Sequence, residues 1–301
     1  MSGLAQLIDP DAQLELLADG FVFTEGPAWN PVERTLVFSD IPGDARYRWS
    51  EERGCELIAA PTLKGNGMAY EADGSLLVCE QVSSQLVRFT PDGHRDVVAF
   101  HHGGRYLNSP NDVVVSAKDG AIYFTDPNYG RWAGAFGWER TCDLDFQGVF
   151  RVPPGGGDAE LVVEPGEFEQ PNGLCFSPDE SIMYVNDSPR THVKAFDVAE
   201  DGSLVGARVL IDGIGTGETG KGSPDGMECD EHGNVWCSGG GGIWVVAPDG
   251  EHLGIVRVPE VCGSLAWGGD DLRDLFVMGS DKLYRLRTLV ASARLPMDSV
   301  R

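Results

Sequence analysis

The chain has 301 residues, with 40 Gly and 18 Pro, and 23 Lys+Arg against 47 Asp+Glu leave a formal net charge of −24. So much glycine argues against long helices, whose interiors it destabilises, and for short strands joined by tight turns. The acidity excludes nucleic-acid binding, which needs Lys and Arg against phosphate, and binding to an anionic membrane surface; solubility explains most of the charge.

The first seventeen residues include Asp9, Asp11 and Glu15 and lack a basic start or an apolar run, so no signal peptide is expected. No stretch approaches the roughly 18 apolar residues of a membrane span. The 7 cysteines are odd in number and form no CxxC pair, and most lie in apolar segments such as Leu76-Leu77-Val78-Cys79. They read as reduced, buried thiols of a cytoplasmic protein.

From residue 25 onward one unit recurs six times. A polar or Gly-containing pair opens a short apolar run, a turn follows, and a second apolar run closes the unit. The copies open at Glu25, Asn66, Asn111, Asn172, Asp225 and Gly263, spaced by 41, 45, 61, 53 and 38 residues. Their second runs are centred on Phe38, Val78, Phe124, Val185, Trp236 and Phe276. Asp73-Gly74, Asp92-Gly93, Asp119-Gly120 and Asp249-Gly250 supply the positive φ angles of tight hairpins. Further strand-like runs, such as Gln85 to Phe89 and Gly148 to Val152, fall between the copies. Units of about 40–50 residues built of strands are propeller blades. The predicted fold is all-β: one domain over residues 1–301, a six-bladed β-propeller of four-stranded antiparallel blades with a core from about 14 to 287. Its ring is expected to close by mixing strands from the two chain ends.

The longest spacing requires an insertion, residues 127–147, which carries Tyr129, Trp132, Phe136 and Trp138. It is either a lid or wall of a pocket, or a loop that packs its own aromatics.

In a propeller the equivalent residue of each blade points to the same end of the central channel. Five of the six opening residues carry a side-chain oxygen, and two are carboxylates. Oxygens converging in this way make a hard-cation site, suited to Ca²⁺ or Mg²⁺ and adaptable to Mn²⁺ or Zn²⁺. Any one of these residues alone would read as a turn former; the shared register carries the argument.

Glu25-Gly26-Pro27, Asn108-Ser109-Pro110-Asn111-Asp112, Gln170-Pro171-Asn172-Gly173 and Ser223-Pro224-Asp225-Gly226-Met227 together resemble the signature segments of the regucalcin–gluconolactonase (SMP-30/gluconolactonase/LRE-like) family, over nearly the whole chain. Asn108 to Asp112 and Phe124-Thr125-Asp126-Pro127 are more similar to its bacterial gluconolactonase branch. The resemblance implies a six-bladed propeller with one divalent metal, Ca²⁺ first, at the channel mouth, and hydrolysis of a sugar lactone. It implies Glu25, Asn172 and Asp225 as metal ligands, Asn111 as a fourth contact to metal or substrate, and Asp225 as general base. Asn66, Tyr129 and Trp132 are expected to line the substrate pocket. The regucalcin branch carries an Arg two residues before the position of Asn111; here Ser109 stands there, and Arg105 or Arg131 is the candidate to replace it.

The expected reaction is attack of water on the lactone carbonyl, with Asp225 moving the proton, Glu25 anchoring the cation, and the cation polarising the carbonyl. The partner is a small lactone, and the protein is a monomer or homodimer. Two rival readings keep the same residues: a phosphotriester (organophosphate) hydrolase, and a non-enzymatic calcium-binding propeller. Gly215 to Gly220 satisfies GxGxxG, but a strand rather than a helix follows, so nucleotide binding is not expected. His101-His102 reads as a polar loop pair, and the sequon Asn186-Asp187-Ser188 as chance.

Overall fold

The computed structural model of the chain describes residues 3–217 and 219–293. Twenty-four strands form six four-stranded sheets, each antiparallel throughout, and the sheets follow one another as the six blades of a β-propeller. The innermost strands, in chain order, are Thr24–Asn30, Gly65–Tyr70, Val113–Val115, Pro171–Phe176, Met227–Cys229 and Cys262–Gly268. These begin blades 1 to 6. The ring closes through blade 6, whose outermost strand is Glu15–Asp19 from the other chain end, paired antiparallel with Lys282–Arg287. Helix is confined to two short 3-10 segments among the described residues, Gly3–Gln6 and Tyr129–Arg131.

The inner strands of each blade bury both faces, because each blade is sandwiched between two others, while the outermost strands such as Glu15–Asp19 and Arg95–Ala99 are largely exposed. Alternation therefore sorts its apolar residues into two interfaces. In blade 2, Leu77 and Cys79 join Val113, Phe124 and Phe150 of blade 3, while Leu76 and Val78 turn the other way onto Ala28 and Val37 of blade 1. In blade 6, Leu275 and Val277 pack with Trp236 and Val245 of blade 5, and Phe276 and Met278 with Trp29 and Phe38 of blade 1. The six apolar clusters correspond one to one with the six blade interfaces. This explains why the runs read as continuously apolar rather than half polar.

The second strand of a blade also sets the loop that leads into the channel. Asp40 accepts hydrogen bonds from the backbone N–H groups of Val22 and Phe23, just before Glu25. Asp126 does the same for Asn108 and Ser109, before Asn111, and Asp187 for Glu169 and Gln170, before Asn172. Three of the channel residues thus enter their strands from a loop clamped by a buried carboxylate. No helix among the described residues is long and apolar enough to cross a membrane.

Candidate metal and substrate site

The opening residues of the inner strands meet at one end of the channel. Glu25, Asn66, Asn111, Asn172 and Asp225 all line one cavity of about 320 Å³. Gly263 completes the ring without a side chain: a Cβ there would lie 2.6 Å from the Glu25 Oε1. The sixth blade therefore gives its place to the Glu25 carboxylate.

Close spacing of the inner strands requires small residues just after the ring. The N–H of Gly173 donates to the Asp225 carbonyl at 3.1 Å, and a Cβ on Gly173 would collide with that same oxygen. Gly67 and Gly226 make the corresponding bonds to the carbonyls of Asn111 and Gly263. The recurring Xaa-Gly step is thus the joint between neighbouring blades. Second-strand side chains reinforce it: Ser39 donates to the Asn66 carbonyl, Asn186 to that of Asp225 and Ser238 to that of Gly263. Blade 3 departs from the pattern, with Asp112 where blades 1, 2, 4 and 5 have Gly and blade 6 has Ser264. Its carboxylate accepts the N–H of Val113 at 2.9 Å and of Leu174 at 3.4 Å.

Burial shapes the electrostatics. Glu25 accepts the N–H of Gly26 through Oε2, while Oε1 is buried without a partner. Burial first, then the charge of Asp225, pushes the Glu25 carboxyl well above the usual carboxylate range. Burial and the charge of Asp112 raise Asp225 to about 8. Burial lifts Asp112 to about 7. Asn172 is oriented by its neighbour: its Nδ2 donates to Ser188 Oγ at 3.1 Å, and that hydroxyl donates to the Pro224 carbonyl at 2.6 Å. The Asn172 oxygen is left for the cavity.

The insertion supplies the remaining wall. Tyr129, Trp132 and Phe136 line the cavity, and Phe136 packs edge-on against Phe23 of blade 1 at 5.4 Å between ring centroids. Burial and the nearby Asp225 raise the Tyr129 phenol above its ordinary range. Trp138 points outward and is 66% exposed.

The profile of the family described as "SMP-30/Gluconolactonase/LRE-like region" matches residues 23–280. The chain belongs to this SMP-30/gluconolactonase family. It is 31% identical to the gluconolactonase of Zymomonas mobilis, over 95% of this chain and 84% of the relative. It is 29% identical to the pentonolactonase XacC of Haloferax volcanii, over 84% of this chain and 80% of that one. The solved structure of a gluconolactonase from Xanthomonas campestris superposes with a TM-score of 0.86 at 33% identity, covering 95% of this chain and 92% of that one.

Of the candidates to replace the regucalcin-branch arginine, neither Arg105 nor Arg131 reaches the cavity lining. Arg105 lies on an outer hairpin, His101–His102 against Arg105–Tyr106, where it pairs with Asp145 at 2.9 Å, outside the cavity lining. Arg131 is buried, and its guanidinium donates to the carbonyls of Leu107, Asn108 and Thr141. Ser109 donates to the Pro127 carbonyl at 2.7 Å and accepts the Gly130 N–H at 3.0 Å. These two residues hold the insertion in place, and no Lys, Arg or His lines the cavity among the described residues.

The structure also adds residues that the repeat did not reveal. Asp112, Ser188, Gln81, Phe23 and Ile41 sit in or directly against the site. Asp112 carried a signal as the single acidic residue in a Gly position of the repeat, and Ile41, Gln81 and Ser188 carried another, each directly following the acidic residue that closes a second strand.

Proposed function

We propose that the protein hydrolyses a sugar lactone with the help of a divalent cation held by Glu25, Asn172 and Asp225, with Asn111 beside it. The observation that carries this reading is the Glu25 carboxylate, turned toward Asp225 with one buried oxygen lacking any partner. Two buried carboxylates side by side are unfavourable unless a cation or a proton sits between them. The donor set is oxygen only, two carboxylates and carboxamides, which fits a hard cation, Ca²⁺ first and Mg²⁺, Mn²⁺ or Zn²⁺ next. Among the described residues no cluster of three or more His, Cys, Asp or Glu side chains gathers, so the amides of Asn172 and Asn111 belong to the set.

A bound cation would polarise the lactone carbonyl, stabilise the oxyanion and acidify water in the site. The chain's own groups do the rest. Asp225 takes a proton from the attacking water as its oxygen bonds to the carbonyl carbon. The bond from that carbon to the ring oxygen breaks, and the proton passes from Asp225 to the ring oxygen, giving the open hydroxy acid. Glu25 holds its position through Gly26. Asn66 and Asn111 offer amides to the sugar, and Tyr129 and Trp132 cover its ring and exclude bulk water. The similarity to a gluconolactonase and a pentonolactonase favours this substrate class.

Acid release from glucono-δ-lactone, δ-valerolactone and a phosphotriester, corrected for spontaneous hydrolysis, tests the reading. Lactone turnover that is lost on chelation and restored by a divalent cation is expected. Chelator-insensitive turnover would remove the cation's role, turnover of the phosphotriester alone would make the protein an organophosphate hydrolase, and no turnover at all would leave a binding propeller.

A further inference from the structure

Blade 2 supplies no ligand to the proposed cation, yet it places two carboxamides at the cavity, Asn66 and Gln81. Gln81 is the unusual one. The residue is 1% exposed, and its Oε1 is buried with no hydrogen-bond partner. Buried polar atoms are paired in the great majority of cases, and an unpaired acceptor at a cavity wall marks a donor that arrives from outside the chain. Its backbone is fixed on every side. The Gln81 N–H donates to the Lys64 carbonyl, its carbonyl accepts Arg140 Nη2 at 3.4 Å, and Gly130 of the insertion packs so closely that a Cβ there would lie 2.7 Å from Gln81 Cβ. A residue anchored through its backbone and Cβ, with the oxygen of its carboxamide left unpartnered at the cavity, is poised for a ligand rather than for the fold.

We propose that Gln81 recognises a ring hydroxyl of the substrate and so selects polyhydroxylated lactones over plain ones. A carboxamide offers both an acceptor and donors, which matches a hydroxyl that gives and takes one hydrogen bond. The absence of any cationic side chain from the described cavity lining agrees with a neutral, hydroxylated ligand. This inference rests on the lactonase reading.

The test is the discrimination ratio, kcat/KM for glucono-δ-lactone over kcat/KM for unsubstituted δ-valerolactone, in the metal-loaded wild type and in Gln81→Met, which keeps the shape. A fall of about three- to tenfold, the worth of one hydrogen bond, is expected, arising from a higher KM for the sugar lactone. Unchanged δ-valerolactone turnover shows that the variant is folded. Gln81→Glu, which retains an acceptor at the same reach, is expected to keep more of the discrimination than Gln81→Met. Equal changes for both lactones, or no change for either, would overturn the role of Gln81 and leave the lactonase standing. Failure of the wild type on both lactones would overturn the lactonase reading itself.

Discussion

The two ends of the inner strands hold two buried glutamates with opposite fates. Glu25 lies at the mouth, with one oxygen unpartnered and its carboxyl pushed up by burial and by Asp225. Glu180 lies at the far end, beside a smaller cavity walled by Trp29, Tyr70 and Trp267. It accepts the Ser116 hydroxyl at 2.7 Å and the Ala117 N–H at 2.8 Å, so it ties blade 4 to blade 3. One glutamate serves the fold, and the other is kept unsatisfied at the expense of stability. Unsatisfied groups of that kind concentrate where a ligand will complete them.

The contrast breaks most sharply at Asp225. Asp225→Asn keeps the shape of the ring and removes the proton acceptor, so kcat should fall by about 10²–10⁴. The thermal midpoint of the metal-free chain should hold or rise, because one of two facing buried carboxylates is gone. Retention of more than a tenth of wild-type kcat would rule out Asp225 as the base.

At the other end the expected pattern reverses. Glu180→Ala leaves the Ser116 hydroxyl and the Ala117 N–H without their acceptor, which should cost about 1–3 kcal/mol of stability in a denaturant titration. Lactone turnover per folded molecule should be unchanged. A large loss of kcat with intact stability would mean that the far end takes part in the chemistry.

Acidity tests the mouth on its own, since burial also raises Glu228, beside the far cavity, to about 8. In the metal-free chain Asp225 titrates near 8 and Glu25 well above its usual range, against about 4 when unfolded. Between those values the folded state binds more protons than the unfolded one, so these groups stabilise below about pH 4 and lose that contribution as pH rises to 8. A cation competes with the same protons. The rise in thermal midpoint on adding Ca²⁺ should therefore be several degrees larger at pH 8 than at pH 5.5. An equal or larger rise at pH 5.5 would show that the cation binds elsewhere.

Much of this was legible in the sequence, and for one reason: the repeat. Residues 25, 66, 111, 172, 225 and 263 share a register because each opens an inner strand, and the Gly after most of them is the blade joint, so fold and ring could be read together. The closing strand Glu15–Asp19 was expected only in kind, since no repeat identifies it. Gln81 and Ser188, like Ile41, each follow the acidic residue that closes a second strand, Glu80, Asp187 and Asp40, so a second register was present at the end of the second runs, but the reading followed only the residues that open the first runs. Arg105, offered in place of the regucalcin-branch arginine, is carried outward to Asp145 by the hairpin His101–His102 against Arg105–Tyr106, whose position no repeat marks. The triplet Asn186-Asp187-Ser188, read only as a chance sequon, is also a positioning element, holding in turn the Asp225 carbonyl, the loop before Asn172, and the Asn172 amide.

That triplet supplies the mildest break. The single proton of Ser188 is spent on the Pro224 carbonyl, so its oxygen can only accept, and the Asn172 nitrogen must face it. Ser188→Ala frees the Asn172 amide to turn its nitrogen toward the cation. Loss of such an orienting partner typically weakens metal binding by 10–100-fold, and the lower figure, about tenfold, is expected here because the strand still holds Asn172. Calorimetric titration with Ca²⁺ reads it directly, while kcat at saturating cation should change little, since Asp225 and Glu25 are untouched. A drop in saturated kcat without a change in Ca²⁺ affinity would move Ser188 from orienting a ligand to contacting the substrate.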